Sequence, residues 1–310
     1  MRLTGLAEAL RRSGCTTEEQ VPMKEHTSFK IGGPADILAT AADERAVARA
    51  AALCRGEGIP LLLLGNGSNL LVDDGGIRGV TLRLSEAAGP RETGRKPDGR
   101  VEIICPAGVP LKQLCRFARD KGLAGLEFAY GIPGTAGGAA YMNAGAYGGE
   151  MKDVMTRVQA VTEAGEIRDY PASSLCLSYR HSDLMENGEI VTAVTVELTT
   201  DDPAAIGARM EEFMRRRREK QPLEYPSAGS FFKRPPGLFA GTLIEGCGLK
   251  GLTVGGAQVS EKHAGFLINR GGATSADVRE LARQVRERVH AAHGVWLEPE
   301  VRFVGEPDDR

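Results

Sequence analysis

The 310-residue chain carries 39 Lys+Arg against 41 Asp+Glu, a formal net charge of -2, so no global positive field exists to hold nucleic acid or an anionic membrane surface. Hydrophobic residues at 42% and charged residues at 26% are ordinary globular values, and the length suggests two domains, or three small ones, around a large core. The longest apolar stretch, IPLLLLG from Ile59, falls far short of the ~20 residues of a membrane helix, and the opening MRLTGLAEALRRSG lacks the apolar centre of a signal peptide. A cytoplasmic protein without membrane insertion is the expectation.

Helical periodicity over 6–12 and 44–56, followed by apolar runs at 61–64 and 80–84, predicts a βαβ-like opening. The stretch GPRETGRKPDGR at 89–100 reads as a turn-rich linker, with a subdomain boundary near 85–100. A strand at 101–105 and a helix over 110–121 closed by Gly122 come next. The Gly/Ala tract at 130–149 shows neither helical nor strand period, whereas 155–162, 166–170 and 190–199 read as strands of an antiparallel or mixed sheet. After Pro203 a long helix runs to about 220, and the remainder, with a helix over 275–293 and a strand over 300–304, predicts a further α+β domain. The expected domains are 1–85, 86–202 and 203–310.

Cys15, Cys54, Cys105, Cys115, Cys176 and Cys247 include no CxxC pair, and the histidines are dispersed, so no metal site is expected. His290 and His293, one turn apart at a helix end, fit pairing with the helix dipole.

Glycine, 40 residues in all, exceeds the usual ~7% and calls for tight turns and close backbone approach. At 61–76 an apolar strand runs into Gly65, Asn66, Gly67, Ser68 and Asn69. Successive N–H groups there, with the Ser68 hydroxyl and Asn69 amide, suit a pyrophosphate; the alternative is a plain strand-to-turn connection. Neither the P-loop nor the third Rossmann glycine is present. The second segment, GIPGTAGGAAYMNAGAYGGE at 131–150, is too rich in glycine for a regular element and too varied for a flexible tether. It predicts a fixed path beside a large flat ligand, a dinucleotide being the candidate, or an ordered loop packed only on protein. Its candidate contacts are Gly131, Ile132, Pro133, Gly134 and Thr135, then Gly137, Gly138 and Ala139, then Asn143, Ala144 and Gly145.

Three polar clusters follow. Arg180, after Tyr179, has the forked geometry that a carboxylate prefers, or makes a structural ion pair. Ser230 sits in a Gly-Ser-Phe-Phe turn with Lys233 three residues on; Ala228 and Phe232 exclude a nucleophile elbow. Glu298 and Glu300 alternate onto one face of the expected strand, as a buried carboxylate or as a solvated edge. The run Arg215 to Arg218 beside Glu211, Glu212 and Glu219 reads as a solvated helix face.

Taken together, TSFKIGGPAD at 27–36, LLGNGSNLLV at 63–72, GIPGTAGGAAYMNAGAYG at 131–148, SYRHSDL at 178–184, QPLEYPSAGSFFKRP at 221–235, EKHAGFLIN at 261–269 and LEPEVRFVG at 297–305 resemble the UDP-N-acetylenolpyruvoylglucosamine reductase family over nearly the whole chain. The resemblance implies an α+β protein: a two-part FAD-binding fold of the vanillyl-alcohol-oxidase (p-cresol methylhydroxylase) kind, followed by a substrate-binding domain. It implies non-covalent FAD, NADPH as co-substrate and UDP-N-acetylglucosamine enolpyruvate as substrate, in a chain expected to be a monomer. The family's catalytic positions fall on Arg180, Ser230 and Glu300, with Ser230 as proton donor, and Tyr179 and Lys233 are the expected substrate contacts. The short connection between SYRHSDL and the helix from 203 resembles the subgroup that lacks a substrate-covering loop. Competing readings are another flavin oxidase or dehydrogenase acting on an alcohol or hydroxy acid, and a non-catalytic binding protein of the same fold.

Overall fold

The computed structural model describes residues 3–307, and the chain divides into two compact units. One gathers the chain up to Glu19 with Ile37–Asn66 and Gly79–Arg217; the other gathers Gln20–Asp36, Gly67–Arg78 and the chain from Arg218.

In the first unit the helix Glu44–Gly56 starts at Asp43, whose side chain accepts the Ala46 N–H at 2.7 Å. It turns Ala46, Val47, Ala50, Ala51 and Cys54 inward, against Ile37, Ala39, Val80 and Leu82. The strands Leu61–Leu63 and Ile77–Leu84 that follow the helix are parallel, with Leu62 opposite Thr81. They belong to a sheet ordered Cys15–Pro22, Pro34–Ala41, Ile77–Leu84, Leu61–Leu63.

A second sheet is antiparallel throughout and ordered Ile167–Pro171, Met155–Val161, Ile190–Thr200, Val101–Pro106, Arg91–Arg95. Its centre, Ile190–Thr200, is buried from Ile190 to Val196, which suits its β-branched composition. The stretch expected to be a linker at 89–100 is instead an edge hairpin, with Arg95 opposite Val101. All five residues of Arg91–Arg95 are exposed; a strand wet on both faces carries no apolar alternation, so composition alone reads it as a loop. The helix Leu111–Asp120 packs Leu111, Leu114, Cys115 and Ala118 into the same core as Ile103, Cys105 and Val194. Burial pushes the Cys105 thiol up to about 12, which leaves it a packing group rather than a nucleophile.

The tract at 130–149 does contain a helix, Ala136–Tyr141. Its pattern is hidden because close packing demands small residues: a Cβ at Gly137 would stand 2.5 Å from the Ala107 Cβ.

The second unit has the antiparallel sheet Ser227–Ser230, Phe266–Asn269, Ala257–Val259, Thr253–Val254. The helix Ser275–His293, within the bounds expected, has a capping box between Thr274 and Asp277 and ends at Gly294 with φ 69°. Val278, Leu281, Ala282, Val285 and Val289 form its apolar stripe. Leu70–Val72 pairs in parallel with Arg302–Val304. The last strand therefore starts at Arg302, not at 300. Pro299 has no N–H to offer a ladder, and 298–300 makes only an isolated bridge, Phe232 to Pro299.

Candidate active site

Two glycine-rich segments meet in the first unit. The Leu64 N–H donates to the Leu82 carbonyl at 2.8 Å, and the chain then presents Gly65 and Asn66 in exposed positions. The Asn66 Nδ2 donates to the Gly134 carbonyl at 3.2 Å, across 68 residues of sequence. A Cβ at Gly65 would lie 3.0 Å from Thr135 Oγ1. Thr135 is itself buried and accepts the Gly138 N–H at 3.2 Å. Gly65, Asn66, Gly134, Thr135 and Gly138 thus form one rim of backbone and neutral side chains, which a bulky anion can approach closely. Ile132 is half-buried and Pro133 exposed beside this rim, while Ala139 is buried beneath it, its carbonyl accepting the Ala144 N–H at 2.8 Å.

The far end of the tract is held by Asn143. This buried residue has φ 40°, and its Nδ2 donates to Glu150 Oε2 and to the Ser178 carbonyl, each at 2.9 Å. Its Oδ1 accepts the Lys152 N–H at 2.9 Å. Its whole amide is engaged by protein, and one of those bonds ties down the turn that carries Arg180. That turn is closed by the Ser178–His181 bridge, with Tyr179 and Arg180 at its tip and Arg180 at φ 55°. The guanidinium donates from Nη2 to the Gly145 carbonyl at 3.2 Å and lies 5.1 Å from the Tyr179 ring centroid.

Arg217 corrects the reading of the Arg215–Arg218 run as a uniformly solvated face. Arg215 and Arg216 do pair with Glu212 on the outside, but Arg217 turns toward the tract, and a Cβ at Gly131 would meet its Nε at 3.0 Å. Burial lowers its pKa, opposed by Tyr147. The Tyr147 ring stacks on Phe213 with centroids 4.7 Å apart.

In the second unit Ser230 is exposed at the end of a strand, not in the expected turn, and its register partner is Phe266. The register is irregular between Ser227 and Ser230, where Gly229 takes φ 78°. The strand-like spacing was hidden by that bulge. The Phe231 N–H then donates to the Gly265 carbonyl at 2.8 Å, and the Glu300 N–H to the Phe231 carbonyl at 2.8 Å. The Lys233 N–H donates to the Glu298 carbonyl at 2.8 Å, and their side chains approach to 3.5 Å. Asn69 grips the same segment: its Nδ2 donates to the Glu300 carbonyl at 3.1 Å and its own carbonyl accepts the Arg302 N–H at 3.0 Å. Gly67 passes so near His26 that a Cβ would lie 2.2 Å from the His26 carbonyl oxygen; half-buried Ser68 follows.

Residues 221–304 match the model of the UDP-N-acetylenolpyruvoylglucosamine reductase C-terminal domain, and residues 35–170 match that of an FAD-binding domain. A UDP-N-acetylenolpyruvoylglucosamine reductase of Heliobacterium modesticaldum is 50% identical over 289 residues, covering 93% of this chain and 90% of the relative. One from Caldanaerobacter subterraneus is 49% identical over 285 residues, covering 92% of each. The chain belongs to the UDP-N-acetylenolpyruvoylglucosamine reductase family.

The crystal structure of the family member from Thermus caldophilus, at 37% identity, matches with a TM-score of 0.78 over 93% of this chain and 99% of that one. The protein is an oxidoreductase of this family, and its cofactor is FAD. The residues present fit that cofactor: the rim at Gly65, Asn66, Gly134 and Thr135 consists of backbone and uncharged groups that would suit a pyrophosphate, and a Cβ at Gly137 would stand 2.5 Å from the Ala107 Cβ. Among the described residues no helix is long and apolar enough to cross a membrane, and no group of three or more His, Cys, Asp or Glu is placed to hold a metal ion.

The motifs assign no role to Glu150, Lys152, Arg217 or His263, although His263 lies within EKHAGFLIN. Glu150 closes the glycine tract, and Lys152, Asn143 and the nearby Arg180 hold its carboxyl below the usual range although partial burial opposes them. Its position directly after two glycines was the available signal. Nothing in the spacing of the Arg-rich run singled out Arg217, since its inward turn depends on where Gly131 and Tyr147 lie.

Proposed function

We propose that this protein reduces the enolpyruvyl ether of UDP-N-acetylglucosamine to UDP-N-acetylmuramate, with NADPH as electron source, for peptidoglycan precursor synthesis in the cytoplasm. The observation that carries the reading is the pairing, inside the matched C-terminal domain, of the segment following Ser230 with the segment ending in Glu300. FAD, when bound, supplies the two-electron chemistry, accepting hydride from NADPH and delivering it to the vinyl carbon of the substrate.

The chain's own residues manage charge and protons. Arg180, braced by Gly145 and Tyr179, binds the substrate carboxylate through its fork and meets the negative charge that develops there. Ser230 gives its Oγ proton to the ether-bearing carbon, completing the lactyl group; a hydroxyl is a weak acid and donates only to a strongly basic carbanion. An ionised Glu300 would repel the developing charge, so it is either protonated or acts by orienting Arg180 or the proton donor. Tyr179 contacts the substrate, and Lys233 meets its pyrophosphate.

An anaerobic visible spectrum tests the reading. Flavin bands should bleach with one equivalent of NADPH and return on adding the enolpyruvyl substrate. Bands that return only with oxygen would point to a different flavin reductase.

A further inference from the structure

We propose that His263 is a positioning residue for the proton-donating strand, holding Ser230 in place through Gly265. The proposal rests on the reading of Ser230 as proton donor. His263 lies in the turn between the strands Ala257–Val259 and Phe266–Asn269. Its Nδ1 accepts the Gly265 N–H at 3.1 Å, and the carbonyl of the same Gly265 accepts the N–H of Phe231, the residue after Ser230, at 2.8 Å. The imidazole is therefore two hydrogen bonds from the backbone of the Ser230–Phe231 dipeptide.

The turn is shaped around this ring. The His263 carbonyl accepts the Phe266 N–H at 3.0 Å, and Ser260 Oγ accepts the N–H groups of Lys262 and His263 at 3.2 and 3.3 Å. The ring meets Phe266 edge to face, with centroids 5.1 Å apart, and Phe266 is the register partner of Ser230. A Cβ at Gly241 or Gly265 would come within 3.2 or 3.0 Å of His263 Cε1, so both glycines make space for it.

Ser230 needs such local support. The bulge at Gly229 breaks the ladder between Ser227 and Ser230, and the regular pairing of Ser227 with Ile268 is not carried through to the serine. What fixes Ser230 is its pairing with Phe266 and the adjacent Phe231–Gly265 bond, and His263 supports both. Accepting at Nδ1 requires the neutral ring with its proton on Nε2.

Two polar replacements separate positioning from bulk. In His263→Asn the Oδ1 stands near the place of Nδ1 and keeps the acceptor; in His263→Gln the acceptor moves out toward Nε2. Both holoenzymes are to be reduced with NADPH and then mixed with substrate in a stopped-flow experiment, beside Ser230→Ala. The expected result is near-normal flavin reduction in both, with substrate-driven reoxidation near wild type in His263→Asn and slowed ~10–100-fold in His263→Gln, the scale of a 1 Å misplacement. Equal reoxidation rates in the Asn and Gln variants, or equal slowing of both half-reactions, would overturn the role of His263. If Ser230→Ala itself reoxidised at the wild-type rate, the reading of Ser230 would fail, and this proposal with it.

Discussion

Glu300 donates its backbone N–H to the carbonyl of Phe231 at 2.8 Å, so Phe231, the residue that follows Ser230, is pinned at its carbonyl by Glu300 and at its N–H by Gly265. Asn69 then holds the Glu300 carbonyl at 3.1 Å. The candidate proton donor and carboxylate therefore ride on neighbouring backbone segments, and displacing one displaces the other.

Ser230→Ala removes only the hydroxyl, and the exposed position leaves no buried cavity behind. Flavin reduction by NADPH should be unchanged, and reoxidation by substrate should slow by ~10²–10⁴, the range of general acid catalysis. Rapid mixing of each half-reaction checks this; slow flavin reduction with normal reoxidation would rule out the assigned role.

Gly137→Ala should weaken both the fold and FAD retention. The added methyl would stand 2.5 Å from the Ala107 Cβ and 3.2 Å from the Ala107 carbonyl oxygen, so the helix Ala136–Tyr141 has to move. Overpacking of this kind costs about 1–3 kcal/mol. A denaturant series on holo and apo protein measures it, and an unchanged midpoint would mean the helix is not held there.

Much of this site is legible in the chain because glycine is used where close approach leaves no alternative, as at Gly67 beside the His26 carbonyl and at Gly137 beside Ala107. The elements that escaped reading are those whose pattern depends on distant partners. The Arg91–Arg95 edge strand and the Ala136–Tyr141 helix lack apolar periodicity, one because both faces are wet and the other because it must be thin. Composition along the chain cannot show that residues 20–36 and 67–78 pack with the chain from Arg218. Nor can it show Arg217 turning inward while Arg215 and Arg216 stay out, since its neighbours Gly131 and Tyr147 come from a distant part of the chain.

Arg279→Leu should destabilise the second unit by about 2–4 kcal/mol. Arg279 makes a bidentate pair with Asp73 at 2.8 and 2.7 Å, and the Asp73 side chain is only 3% exposed. Removing the guanidinium strands a buried carboxylate, which costs more than the ion pair contributes. Asp73→Asn in the Arg279→Leu background removes that stranded charge and should recover part of the loss. Chemical denaturation of the two variants measures both, and no recovery in the double variant would assign the effect to packing instead.

Stability should also carry a histidine signature in mildly acid solution. Burial lowers the pKa of His263 from 6.5, with the nearby Lys250 adding to the effect and Glu245 opposing it. The unfolded chain therefore takes up the proton first as pH falls. Above 6.5 both states hold a neutral ring and stability is at its full value; below 6.5 it declines until the folded protein is protonated as well. Glu212 and Glu280, held down to about 2 by Arg215 and Arg283, act in a separate window below their ordinary 4.5. Replacing His263 with Asn keeps an acceptor for Gly265 but cannot titrate. Denaturant midpoints measured from pH 7.5 to 5.5 should fall more steeply for wild type than for His263→Asn. Parallel slopes would mean that the imidazole is not shielded from protonation in the folded protein.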